Sequence, residues 1–122
     1  MASLLGFHQG WAWVVIVGNG LAGLWALAAH RVPSLRTRAL WWFTGGAEVA
    51  VAVQVATGVA MVTANHARPV PFHPFYGYVA VVVIGFLFAY RSQLWRRRYQ
   101  LYGWGGLFLM GVAIRALLVA RS

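Results

Sequence analysis

The chain contains no cysteine and no lysine, and Glu48 is its single acidic residue. Without cysteine, disulfides, thiolate metal centres and thiol nucleophiles are excluded. With one acid there is no carboxylate pair for general acid/base work. Charge is scarce altogether: 9% of the 122 residues are charged and 61% are apolar. A soluble domain carries about 25% charged and roughly 45–50% apolar residues. Disorder needs low hydrophobicity. What remains is an integral membrane protein.

Ten arginines against Glu48 give a net charge of +9. Such basicity would suit a nucleic-acid binder if it formed a solvated face. Here the arginines stand mostly at the ends of apolar runs, so lipid rather than nucleic acid is the expected partner. Apolar runs cover residues 11–30 (starting as early as Ser3), 39–63, 75–90 and 101–120. At about 20 residues per span, this fills the chain with four membrane helices, the third of them short. A barrel is excluded because no run alternates with period 2. No basic segment precedes the first run, so a cleaved signal peptide is not expected. The predicted fold is an all-helical, four-span bundle forming one domain over residues 1–122.

Arg31, Arg36 and Arg38 lie between the first two runs, and Arg91, Arg96, Arg97 and Arg98 between the last two. The central loop holds only Arg68, and the C-terminus only Arg121. By the positive-inside rule both basic loops face the cytoplasm and both termini face outward, in a bacterial cytoplasmic membrane. Arg36, Arg38 and Arg96 to Arg98 could also meet anionic lipid headgroups. A shift of 60 residues superimposes Arg31 on Arg91, Arg36 on Arg96, Arg38 on Arg98 and Gly45-Gly46 on Gly105-Gly106. This register predicts two duplicated helical hairpins, about residues 1–63 and 64–122, related by a twofold axis along the membrane normal.

Ionisable residues inside a span are functional candidates by default. Glu48, ten residues beyond Arg38, lies about 15 Å into the membrane, and Arg115 about 25 Å beyond Arg98. Counting in the same way from Arg31 and Arg91 places Asn19 and Tyr78 at the depth of Glu48. The expected polar membrane site is Asn19, Glu48 and Tyr78, with Gln54 and Arg115 above, Arg115 leaning toward Glu48. It would serve as interhelical hydrogen-bonding or as a ligand or proton site.

Imidazoles on opposite helices of a bundle can ligate haem iron. His8, His66 and His73 all lie on the outward side, so they are the candidate cofactor ligands, with Arg68 or Arg115 near a cofactor's acidic groups. Straight helices would leave His8 and His73 roughly 7–8 Å apart in height. Copper or zinc lacks a spacing such as H-x-x-x-H to support it. Gly18-Asn19-Gly20-Leu21-Ala22-Gly23 fits G-x-G-x-x-G but sits mid-span, without the strand a dinucleotide site requires. Its glycines, with Gly45, Gly46, Gly105, Gly106 and Gly111, are expected to let helices approach closely. Trp11, Trp13, Trp41, Trp42, Trp95, Tyr90, Tyr99 and Tyr102 are expected in interfacial belts.

The stretch Gln54-Val55-Ala56-Thr57-Gly58, followed by His73 and Gly77, resembles haem-binding membrane bundles such as the heme A synthase family, over residues 50 to 90 only. That resemblance implies a glutamine/glycine helix paired with an outward histidine helix around haem. The size and lone acid also resemble small multidrug resistance transporters, whose membrane glutamate lies in the first helix, whereas Glu48 lies in the second. In composition the chain is similar to uncharacterised small four-transmembrane proteins of high-GC bacteria. Three functions follow. The leading one is an accessory or assembly subunit of a larger membrane complex, such as a respiratory one. The others are an electron carrier binding b-type haem or quinone and a small proton-coupled transporter using Glu48. No catalytic triad or P-loop is present, so enzyme activity is not expected; other membrane subunits or further copies of the chain are the expected partners.

Overall fold

Long apolar runs without period-2 alternation satisfy their backbone hydrogen bonds internally, as helices. In the computed structural model, which describes residues 2–63 and 72–121, four helices account for nearly all of the chain. They are α1 (Ala2–Arg31), α2 (Arg38–Thr63), α3 (His73–Ala89) and α4 (Arg98–Arg121). Short 3₁₀ turns at Pro33–Leu35 and Trp95–Arg97 lie between α1 and α2 and between α3 and α4, and there is no strand among the described residues. Three segments, Leu4–Arg31, Arg38–Thr63 and Trp95–Ala120, are long and apolar enough to cross a membrane. α3 has 17 residues, about 25 Å at the helical rise. Pro74 lies in its first turn, where a missing N–H costs nothing.

α1 packs against α2 and, most closely, against α4; α4 packs against α3; α2 and α3 barely meet. Glycine explains the close pair. A Cβ on Gly106 would lie 2.8 Å from the Asn19 carbonyl oxygen, and one on Gly23 2.7 Å from the Gly103 carbonyl oxygen. The two backbones therefore touch directly, as small residues permit in membrane helices. Gly45, Gly46 and Gly111 do not behave as expected: a Cβ on any of them would meet nothing within 4 Å. The packing is accordingly not twofold. Under the 60-residue shift the α2–α3 contact should mirror α4–α1, yet Gly105 and Gly106 are enclosed and Gly45 and Gly46 are open.

One core cluster unites Val15, Ala50, Val51, Ala80, Leu87 and Leu109 from all four helices. A second gathers Ala26, Ala29, Leu40 and Tyr99 beside the arginine-rich loops. Several expected belt residues turn inward on these two clusters. Tyr99 is buried, and the Trp41 ring lies 5.5 Å from Tyr99 and 5.4 Å from Tyr102. Trp11 donates its indole N–H to the Ala50 carbonyl at 2.8 Å. Trp13, Trp42, Trp95 and Tyr90 are exposed. Arg36 is also committed within the fold. Its guanidinium donates to the Ala29 carbonyl at 2.7 Å and to the His30 carbonyl at 2.8 Å, both in the last turn of α1. Carbonyls at a helix end have no helical partner of their own, so Arg36 closes the hairpin.

Candidate functional site

The interior carries two separate polar groups. The first lies at the end of the bundle remote from the arginine-rich loops. His8 enters it from α1 and His73 from the first turn of α3, with ring centroids 5.9 Å apart and planes at 73°. The straight-helix count therefore fails, and the reason is axial. Leu87 lines the same cavity as Asn19, yet it is four residues short of Arg91 while Asn19 is twelve short of Arg31. Arg91 is thus set deeper than Arg31 relative to that level, by about 12 Å along straight helices, which more than offsets the height difference between His73 and His8.

Both rings are oriented by their Nδ1 atoms. Thr57 donates its hydroxyl proton to the Gln54 carbonyl at 2.8 Å. A hydroxyl has one proton, so Thr57 Oγ1 accepts from the His8 Nδ1–H at 2.7 Å. The His73 Nδ1–H donates to the Ala116 carbonyl at 2.9 Å. In the neutral rings each Nε2 therefore keeps its lone pair. This is the pattern in which a hydrogen bond on one nitrogen prepares the other for a metal. Gln54 donates its amide to the His8 carbonyl at 2.8 Å. The His8 ring lies against α2 at Gly58, where a Cβ would be 3.4 Å from Cε1.

Two imidazoles sharing one metal at about 2.0 Å per nitrogen have ring centres roughly 6 Å apart, close to the spacing seen. No group of three His, Cys, Asp or Glu able to hold a bare metal ion occurs among the described residues. Two axial nitrogens are what haem requires, because the porphyrin supplies the other four.

The second group lies in the middle. Asn19, Thr44, Glu48 and Tyr102 share a small cavity with Ala22, Leu87, Gly106 and Leu109. Its volume, about 10 Å³, is room for one water. Asn19 is buried and donates to the Val15 and Ala47 carbonyls at 2.9 and 3.3 Å. Tyr102 donates to the Leu87 carbonyl at 3.4 Å. Thr44 is 7% exposed, and its hydroxyl oxygen has no partner.

The expected site thus divides. Asn19 and Glu48 line one cavity. Gln54 belongs with the histidines instead. Tyr78 is 70% exposed; it lies two residues, about 200° of helix, from the buried Ala80. Arg115 is exposed and donates to the Tyr76 hydroxyl at 3.4 Å, one residue from the carbonyl that holds His73. It does not line the Glu48 cavity. His66 and Arg68 lie outside the described residues. Thr44 and Tyr102 were missed as site residues. Thr44 is four residues before Glu48 and so shares its face, a signal that was available. Tyr102 is placed only by the position of α4.

Comparison with known protein families, with curated proteins and with solved structures finds no match for this chain.

Proposed function

We propose that the chain is a small membrane-embedded electron-carrier module holding a b-type haem between His8 and His73, and that it works as an accessory subunit of a larger, respiratory-type membrane complex. One observation carries this reading: two imidazoles on diagonal helices, each fixed through Nδ1, stand at single-metal spacing. Haem supplies one-electron chemistry when bound. His8 and His73 would hold it, Thr57 and the Ala116 carbonyl would keep their rings oriented, and Arg115 would offer a positive charge to its acidic groups. The loop arginines support an orientation with this end outward and α3 as a fourth span, in a bacterial cytoplasmic membrane. The arginine and Gly-Gly register supports descent from a duplicated hairpin whose halves have since packed differently.

The test is an optical spectrum of protein purified in mild detergent from haem-replete cells, oxidised and then reduced. A Soret band with sharp reduced α and β bands, lost in His8→Ala and His73→Ala, is expected. Colourless protein that also fails to bind added haemin overturns the reading.

A second reading, a subunit without cofactor, is favoured by the open α2 face around Trp42, Gly45, Gly46 and Val49. It predicts that Gly46→Leu abolishes co-assembly with partner subunits while the isolated chain stays folded. Transport of an organic cation through Glu48 draws less support, because the cavity beside it admits about one water.

A further inference from the structure

The central cavity contains a conflict that the histidine site does not relieve. An ionised carboxylate in a low-dielectric interior is costly unless a cation accompanies it. The walls around Glu48 are Asn19 and Ala22 from α1, Thr44 from α2, Leu87 from α3, and Tyr102, Gly106 and Leu109 from α4. None is basic, and Tyr102 is the only other titratable group among them. Arg91 is not part of this wall, and its guanidinium donates to the Phe88 carbonyl at 2.7 Å. Arg115, which lies away from the ends of α4, is exposed and directed to Tyr76. Meanwhile the Thr44 hydroxyl, more than nine-tenths buried, lines this cavity with an unused oxygen. A carboxylate, a free hydroxyl oxygen and a phenol form a hard oxygen donor set, and the space between them is the size of one water or one dehydrated ion.

We propose that Thr44, Glu48 and Tyr102 form a binding site for a single dehydrated monovalent cation, a proton or an alkali ion, that neutralises Glu48 in mid-bundle. The cation lies against the Glu48 carboxyl group and takes the Thr44 oxygen as its second donor. A proton does this through the carboxylic O–H and one water, an alkali ion by direct coordination. The site stands on its own residues and does not depend on haem.

The experiment is thermal unfolding of the full chain in detergent, followed by tryptophan fluorescence, over a pH series. At each pH, sodium or potassium chloride is compared with N-methylglucamine chloride at equal ionic strength. If a proton is the occupant, Tm of the wild type falls as pH rises whichever salt is present, and Glu48→Gln removes the slope. If an alkali ion is the occupant, sodium or potassium raises Tm over N-methylglucamine at high pH, and Glu48→Gln removes that difference. Thr44→Val keeps the acid and the shape but deletes the second donor, so it weakens either effect by several-fold and serves if Glu48→Gln does not fold. Wild type and Glu48→Gln with parallel profiles in both series, or a Thr44→Val protein with an undiminished response, overturns the proposal.

Discussion

The two polar groups of this bundle are built on opposite plans. At the histidine end the partnered groups are numerous: both Nδ1 atoms, the Thr57 hydroxyl and the Gln54 amide nitrogen each have a hydrogen bond. In the centre, Thr44 Oγ1 has none and Glu48 has no basic neighbour on the cavity wall. Buried polar groups are usually paired. A network whose ring nitrogens, hydroxyl and amide nitrogen are anchored, leaving two imidazole lone pairs and the buried Gln54 Oε1, presents those lone pairs to something definite. A cavity with an unused oxygen beside the only acid instead accommodates something small. The first plan suits a large, fixed group and the second an exchangeable one.

That contrast can be broken at either end, and the largest effect falls on the histidines. His73→Ala removes an axial ligand, so the reduced α band should vanish entirely, while Glu48→Gln should leave the spectrum unchanged. If Glu48→Gln bleaches the protein as well, the two groups are one site.

Next comes the glycine that lines the central cavity and joins α1 to α4. Gly106→Ala places a Cβ against backbone, 2.8 Å from the Asn19 oxygen and 2.9 Å from Gly23 Cα, and should cost about 1–3 kcal/mol. Its counterpart under the 60-residue shift, Gly46→Ala, adds a methyl to open space. It should be neutral or stabilising by up to about 1 kcal/mol, since alanine is the better helix former. Thermal unfolding of the two variants measures how differently the two Gly-Gly pairs are packed, and equal effects would favour a twofold arrangement.

Thr57→Val tests the anchoring itself. It keeps both histidines but removes the acceptor for the His8 Nδ1–H, so haem affinity should drop by about 10–100-fold, read by haemin titration. The smallest effect belongs to Tyr78→Phe. Tyr78 faces outward at 70% exposure, so neither the spectrum nor the cation response should change. A loss of either would return Tyr78 to the polar layer.

Legibility followed the same division. The ends of α2, α3 and α4 were readable to within a few residues, because proline and arginine clusters interrupt the apolar runs. Asn19 and Glu48 were readable as a pair because counting residues from the loops gives depth. The same counting misplaced Tyr78 and separated His8 from His73, because it assumed that Arg31 and Arg91 share a level. Gly105-Gly106 and Gly45-Gly46 look alike as text, and only the former meets a neighbouring backbone.

By itself, then, the sequence determined the all-helical class, the presence of helices long and apolar enough to cross a membrane, and the residues able to carry chemistry. These follow from local quantities: apolarity summed along a run, backbone bonds closed four residues away, and charge at the run ends. The tertiary structure alone decided that His8 meets His73, that Tyr102 rather than Tyr78 joins Glu48, and that one glycine pair is enclosed while the other is open. Those outcomes depend on how far each helix is rotated about its axis and slid along it. Both are set by contacts among side chains distant in sequence, which no single apolar run encodes.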